Sequence, residues 1–412
     1  MEFPHGSCIF AQSGGPTAVI NASAYGVIRA ALEAKEITRV YGAEHGILGV
    51  INDVLFDMSQ EDPQELALLK NTPASELGSC RYKLKDYKTD ATDYEKILAV
   101  FKKHNVRYFF YNGGNDSMDT CHKISEYMQG AGWLCRVMGV PKTIDNDLDG
   151  TDHCPGFGSA ARYIATSCME IAKDSSVYPN GQVTIVEIMG RHAGWLAGSA
   201  ALATEAGAGP DLVYLPERIF NRDRFIADVT AVYQKKGGCL VAVSEGLCYE
   251  NGRFVSEAST SATDGFGHAQ LGGLAQRLSE LVKQAIPGVK VRAIELSLLQ
   301  RCGAHLASAR DLQEAEAAGA AAVQMALAGD SGKMVAFSQE EINGQYSCRL
   351  TACPLSQVAN AEKKVPDTWI NEQGNFVTQE FLDYVRPLIQ GQPERIYQNG
   401  LPRYPKLKLV KA

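Results

Sequence analysis

Short apolar runs recur along the chain. Each ends in a glycine-rich or polar turn, and most lead into a stretch of helical composition. Ser7 to Ala11 is the first run and enters Gln12-Ser13-Gly14-Gly15-Pro16-Thr17. Thr17 to Ala34 then keeps Ala18, Ala22, Val27 and Ala31 on one side, a helical period. Val106 to Tyr111 and Leu134 to Val140 are apolar nearly throughout, the pattern of parallel strands covered on both faces. The alternation continues: helix over Ala160 to Ile171, strand over Val183 to Ile188, small-residue helix over Trp195 to Ala206, strand over Asp211 to Leu215. Next come a helix over Phe225 to Gln234 and a strand over Cys239 to Val243, then a helix over Gly267 to Ala285 and a strand over Val289 to Ser297. An alanine-rich helix over Gly303 to Ala328 and a strand over Met334 to Ser338 complete the series. Such βα alternation predicts an α/β fold with mostly parallel sheets and helices on both faces. Asn251 to Phe266, rich in Ser, Thr and Gly, reads as a mobile loop or lid. From Pro366 onward proline and polar content rise. That stretch reads as an irregular cover or subunit contact, with Tyr384 and Arg386 its prominent polar pair.

The chemistry concentrates between Tyr111 and Asp149. Gly113-Gly114-Asn115-Asp116-Ser117 follows one apolar run, and Pro141-Lys142-Thr143-Ile144-Asp145-Asn146-Asp147 follows the next. Ligands of open α/β sheets sit beyond the carboxyl ends of the strands, so both turns are expected to face one crevice. Backbone N–H groups of a glycine turn at a helix start attract an anion. One lysine beside two carboxylates suits phosphoryl transfer, where cations stabilise charge and a carboxylate accepts a proton. The Ser13-Gly14-Gly15 turn repeats the phosphate-cradle pattern, although a plain βα turn has the same composition. Arg81, in the polar loop Leu77 to Tyr82, reads by itself as a solvated charge.

Composition narrows the classes. The 412 residues are 45% hydrophobic and 21% charged, long enough for two domains. A net charge of −7 without a basic tail argues against nucleic acid. No run is long and apolar enough to span a bilayer, and the first residues do not resemble a signal peptide. The 11 scattered cysteines, with no C-x-x-C pair, read as reduced thiols of a cytoplasmic protein.

In chain order, five features together resemble the phosphofructokinase family over roughly residues 7 to 340. They are Ser13-Gly14-Gly15 with Asn21, Gly113-Gly114-x-x-Ser117, Pro141 to Asp147, Met189-Gly190-Arg191 and Gln300-Arg301. The resemblance implies reversible transfer of a phosphoryl group to the 1-hydroxyl of fructose 6-phosphate, a step of glycolysis and gluconeogenesis. It implies two Rossmann-like domains with the active site in the cleft between them. The expected division is 1–150 plus roughly 300–345 for the phosphate donor, 151–299 for fructose 6-phosphate, and 346–412 as an extension packed on both. ATP-using members carry glycine at the positions of Asp116 and Lys142; pyrophosphate-using members carry aspartate and lysine, as here. A carboxylate at 116 would repel a nucleotide α-phosphate, and an ammonium at 142 would stabilise the transferring group. Pyrophosphate is therefore the expected donor. An ATP-dependent enzyme and a non-catalytic regulatory homologue remain the alternatives.

By the same resemblance, Asp145 is the base, with Lys142, Asp147 and Arg191 also catalytic. Gly14, Gly15, Arg81, Asp116 and Lys142 bind the donor. Thr143, Ile144, Asp145, Met189, Gly190, Arg191, Glu245, Arg292 and Arg301 bind the sugar phosphate, the last two arginines at its 6-phosphate. Mg²⁺ is the expected cofactor. Asn115 stands where most members have a metal-binding aspartate, so its amide oxygen is the metal candidate, with Asp147 in support. Leu298 replaces a sugar-phosphate contact of many members. Gln182 replaces an arginine that in bacterial ATP-using members crosses a subunit interface, and Tyr25 replaces a basic residue of their nucleotide effector site. A homodimer or homotetramer is expected.

Overall fold

The computed structural model describes residues 4–177, 179, 181–256, 271–359 and 361–412. In chain order the main strands are β1 (Gly6–Gln12), β2 (Ile37–Ala43), β3 (Leu55–Asp57), β4 (Val106–Gly113), β5 (Arg136–Pro141) and β6 (Gln182–Ile188). They continue with β7 (Leu212–Tyr214), β8 (Cys239–Ser244), β9 (Lys290–Glu295), β10 (Lys333–Ile342) and β11 (Gln345–Pro354). Seven form one sheet in the order β11-β10-β5-β4-β1-β2-β3; four form a second, β7-β8-β6-β9, parallel throughout. Only the edge strands β3 and β11 of the first sheet run antiparallel to their neighbours.

The patterning explains the centre of each sheet. Every residue of β1, β6 and β8 is buried, as expected of mostly apolar strands covered on both faces. Registers bring the functional turns to one level. Gln12 pairs with Asn112, and Gly113 with Pro141, so β1, β4 and β5 release their turns together. From β1 the chain winds to β2 on one side and later to β4 on the other, placing a topological switch between β1 and β4. In the second sheet Ile188 pairs with Ser244, and the Met189 and Glu245 turns leave side by side.

Several boundaries moved. The first helix occupies Ile20–Glu33, because Gly14 to Val19 is used by the turn. The stretch Trp195 to Ala206 divides into Trp195–Ser199 and Ala201–Glu205. The alanine-rich helix begins only at Ala309, where the Ser308 side chain accepts from the Asp311 N–H, and ends at Leu327. Of the polar stretch read as a lid, residues 257–266 lie outside the described residues. So do the first residues of the helix expected from Gly267, whose described part is Leu274–Ala285. Strand β10 runs on to Ile342 and turns into β11, which carries the first sheet to Pro354. An edge strand with mixed exposure has no apolar run to announce it.

The C-terminal segment covers both layers. Phe381, Leu382, Val385 and Leu388 join the core around Trp195 and Leu196. The last residues return to the first sheet, where the Asp57 N–H donates to the Val410 carbonyl at 2.9 Å. Helices Ile20–Glu33 and Ala309–Leu327 touch backbone to backbone through two glycines. A Cβ on Gly26 would lie 2.0 Å from the Glu316 carbonyl oxygen, and one on Gly319 would lie 2.2 Å from that of Ser23. Among the described residues no helix is long and apolar enough to cross a membrane.

Candidate active site

A cleft of about 660 Å³ opens where the turns of the two sheets face each other. Its first wall is the Gly14–Gly15 turn after β1. Gly14 has φ +75°, a left-handed conformation that glycine adopts without penalty. A Cβ there would sit 3.2 Å from Lys142 Nζ, and one on Gly15 would sit 3.3 Å from an Arg301 guanidinium nitrogen and 3.7 Å from one of Arg81. The bare backbone thus lets three cations close on one point. Lys142 is buried and donates to the Gly15 carbonyl at 2.7 Å. Burial pulls its pKa down to about 8, Asp145 opposing. Burial, and then the Arg81 charge, also lower the Arg301 pKa.

The second wall is the start of helix Asn115–Gly130. No side chain caps its first turn, and a helix N-terminus facing the cleft attracts an anion. Asp116 stands in that turn, 3.8 Å from Lys83 Nζ. Asn115 Nδ2 donates to Asp147 at 3.2 Å, while Asn115 Oδ1 is buried without a hydrogen-bond partner. A buried, unsatisfied amide oxygen beside a carboxylate is a donor set for a hard divalent cation, and the residues fit that group. Elsewhere, His153, Glu314 and Cys348 cluster. Both ring nitrogens of His153 are already bonded, to Asp152 at 2.8 Å and to Glu314 at 2.9 Å, and neither is left for a metal.

The loop after β5 carries the two carboxylates. The Asp145 N–H donates to Thr143 Oγ1 at 3.1 Å, a local turn that aims the loop into the cleft. Burial, then the Glu245 charge, push the Asp145 pKa above the usual carboxylate range. Burial, then Asp145 itself, do the same to Asp147. Two carboxylates in one partly desolvated site cannot both ionise at the ordinary cost, so one of them is held ready to take a proton.

The third wall comes from the second sheet. Met189, Arg191 and Glu245 line it beside Thr143 and Ile144. The Met189 N–H donates to Gln300 Oε1 at 3.1 Å, and the Gly190 N–H to Glu245 Oε1 at 3.4 Å, which ties the β6 and β8 turns together. Arg301 reaches the same cleft from helix Leu299–Cys302. Every residue anticipated from the sequence lines this space or is built into its walls, except Arg292. That arginine, on the edge strand β9, lies in a separate recess with Glu170 and Asp174, its Nε 3.3 Å from Gln182 Oε1. The family resemblance implied one phosphate site for Arg292 and Arg301. But Arg292 sits on the strand and Arg301 on the helical turn after it, and they line different recesses.

Sequence reasoning missed Lys83, His192 and Glu362, all of which line the cleft. Lys83 follows Arg81 by two residues and could have been suspected. Glu362 lies in the C-terminal segment, where no motif pointed to it. It reaches the site because the Lys363 N–H donates to the Asp147 carbonyl at 2.8 Å.

The chain is similar to known proteins over nearly its whole length. Residues 7–326 match the family model described as Phosphofructokinase. A protein of Halomonas elongata named "Pyrophosphate--fructose 6-phosphate 1-phosphotransferase" is 45% identical over 405 residues, covering 97% of this chain and 96% of its own. One of Xanthomonas campestris with the same name is 45% identical over 413 residues, covering 98% and 97%. The solved structure of a pyrophosphate-dependent phosphofructokinase from Nitrosospira multiformis matches with a TM-score of 0.89 at 39% identity, covering 99% of this chain and 98% of that one.

Proposed function

Because this chain belongs to the phosphofructokinase family, we infer that it catalyses reversible phosphoryl transfer from pyrophosphate to the 1-hydroxyl of fructose 6-phosphate. The products are fructose 1,6-bisphosphate and phosphate. The observation that carries the choice of donor is Lys142, buried and fixed on the Gly15 carbonyl between the phosphate turn and Asp145. A compact ammonium there meets the charge of the transferring phosphoryl and of the leaving phosphate, the term that dominates phosphoryl transfer. Asp116 adds a negative charge at the start of the helix, where a nucleotide chain would have to pass.

The fructose 1-hydroxyl gives its proton to the Asp145 carboxylate as its oxygen bonds to phosphorus. The bond from that phosphorus to the bridging oxygen of pyrophosphate breaks, and orthophosphate leaves. Lys142, Arg81 and Arg191 balance the charge that spreads over the phosphoryl oxygens. Glu245 and the Met189 backbone hold the sugar, Arg301 its 6-phosphate, and the Gly14–Gly15 turn the donor. Magnesium, held by Asn115 Oδ1 and Asp147, would supply divalent positive charge to the donor oxygens.

The working unit we propose is a homo-oligomer in the cytoplasm. All eleven cysteines are thiols, as a reducing compartment requires. Arg292 shares its recess with Gln182, the position at which bacterial ATP-using members of the family place an arginine that crosses a subunit interface, so it is assigned to the 6-phosphate of a neighbouring copy.

The deciding experiment offers pyrophosphate or ATP with fructose 6-phosphate and Mg²⁺ and follows fructose 1,6-bisphosphate. Turnover with pyrophosphate alone is expected. Turnover with ATP alone overturns the donor assignment, and no turnover with either overturns the reaction.

A further inference from the structure

The loop that carries Asp145 and Asp147 has no regular secondary structure over residues 144–152. Sheet hydrogen bonds therefore do not fix it, and something else must. Asn146, between the two carboxylates, is fully buried and left-handed at φ +55°. A non-glycine residue in that region is strained and persists only where its surroundings over-determine it. Both ends of its amide are used. Oδ1 accepts from the Cys154 N–H at 2.9 Å, and Nδ2 donates to the Tyr384 hydroxyl at 2.8 Å. The Tyr384 hydroxyl in turn donates to the Asp152 carbonyl at 2.7 Å. The amide orientation follows from the chemistry: reversed, its NH₂ would face the Cys154 N–H, donor against donor.

Tyr384 belongs to helix Gln379–Val385 of the C-terminal segment. Its ring packs 5.3 Å from Trp195 and 5.3 Å from Trp369. The same segment holds the loop again through Lys363, whose N–H donates to the Asp147 carbonyl at 2.8 Å and whose Nζ donates to that of Thr151 at 3.1 Å. It also holds the facing turn. Glu217 Oε1 accepts from the Gly194 N–H at 2.9 Å and from the Val365 N–H at 3.0 Å, and Trp195 Nε1 donates to the Lys363 carbonyl at 2.9 Å. Two active-site loops from different sheets are thus referenced to one stretch of chain.

We propose that residues 361–389 brace the catalytic loop and that Tyr384 is its positioning residue: its hydroxyl fixes Asn146 and thereby aims the flanking Asp145 and Asp147. Tyr384 touches no reacting atom. Its effect falls on turnover rather than on sugar affinity, because base alignment counts at the transition state while Glu245 and Arg301 bind the sugar from outside this loop.

The inference rests on the phosphoryl transfer proposed above, and its test separates the two. Tyr384→Phe keeps the ring and removes the hydroxyl. In the full-length protein it is expected to lower kcat about tenfold or more, with KM for fructose 6-phosphate changed less than about twofold. Backbone amides of residues 145–152 in the ligand-free protein are expected to exchange hydrogen faster. Asn146→Gly, which tolerates the left-handed backbone, is expected to reproduce both effects and to add little in combination with Tyr384→Phe. Leu388→Ala, a core change in the same segment, is expected to lower Tm while leaving kcat within about twofold. Unchanged kcat and unchanged exchange in Tyr384→Phe overturn the brace, as does an equal loss of kcat in Leu388→Ala. If the parent protein shows no transfer at all, the reaction is wrong, and the exchange comparison still decides the brace.

Discussion

At the scale of single residues the site combines groups whose ordinary pKa values are displaced toward neutrality from opposite sides. Burial and neighbouring negative charge push Asp145 and Asp147 up, and burial pulls Lys142 down to about 8. The proposed mechanism needs an ionised base and a protonated lysine. The kcat/KM profile for pyrophosphate is therefore expected to be bell-shaped, with an acid limb above the usual carboxylate range and an alkaline limb near pH 8. Lys142→Arg is expected to remove the alkaline limb, since a guanidinium does not titrate there; an unmoved limb would assign it elsewhere. The same displacement has a cost in stability. Between the unfolded carboxylate value and the raised folded value, the folded state holds more protons than the unfolded one, so stability falls as pH rises through that window. Asp145→Asn is expected to lose less stability than the parent as pH rises from about 4 to about 6, measured by thermal unfolding. It should also lose more than tenfold in kcat, about 1.4 kcal/mol of barrier or more. An unaltered stability slope would mean that Asp145 is not displaced.

At the scale of elements, the proposed donor site is made by the ends of β1 and β5 and the start of one helix. Asp116 stands in the uncapped first turn of helix Asn115–Gly130, facing Lys83. Asp116→Gly is expected to admit weak ATP use by removing charge and bulk. Lys142→Gly should lower pyrophosphate turnover strongly without admitting ATP, because the Asp116 carboxylate would remain. Initial rates with both donors in the two single variants and the double variant distinguish exclusion from catalysis; no ATP use in Asp116→Gly would make Asp116 a simple helix-start aspartate. A different element-scale device lies behind the site, where Gly26 and Gly319 let two helices meet. Gly26→Ala would drive a methyl group into the Glu316 carbonyl. It is expected to cost about 1–3 kcal/mol, seen as a lower Tm with kcat of the folded enzyme retained. An unchanged Tm would show that the helices can part.

At the scale of the whole molecule, one cleft gathers residues from both sheets and from the C-terminal segment, while Arg292 is left outside. If it serves a neighbouring copy, Arg292→Ala and Arg301→Ala should each raise KM for fructose 6-phosphate, by roughly ten- to a hundredfold for a lost charge-assisted contact of about 1.5–3 kcal/mol. Subunits of the two variants, dissociated and reassembled together, should then recover part of the parent affinity, since a mixed pair contains one cleft with both arginines. Unchanged KM in Arg292→Ala, or no recovery on mixing, removes this residue from the site.

The sequence by itself determined what is local. An apolar run, a glycine turn and a helix start are neighbours in the chain, so the walls formed by Gly14, Asn115 and Lys142 to Asp147 could be read from period and turn chemistry. The edge strand β11 could not, because its half-exposed pattern depends on which strand it pairs with. Only the tertiary structure decided which arginine joins the cleft, that Glu362 reaches it, that Tyr384 holds Asn146, and that two glycines lie in one helix crossing. Each of these is a contact between residues far apart in the chain. No periodicity encodes such a pair, and whether a buried amide or carboxylate is satisfied depends on the partner that folding brings to it.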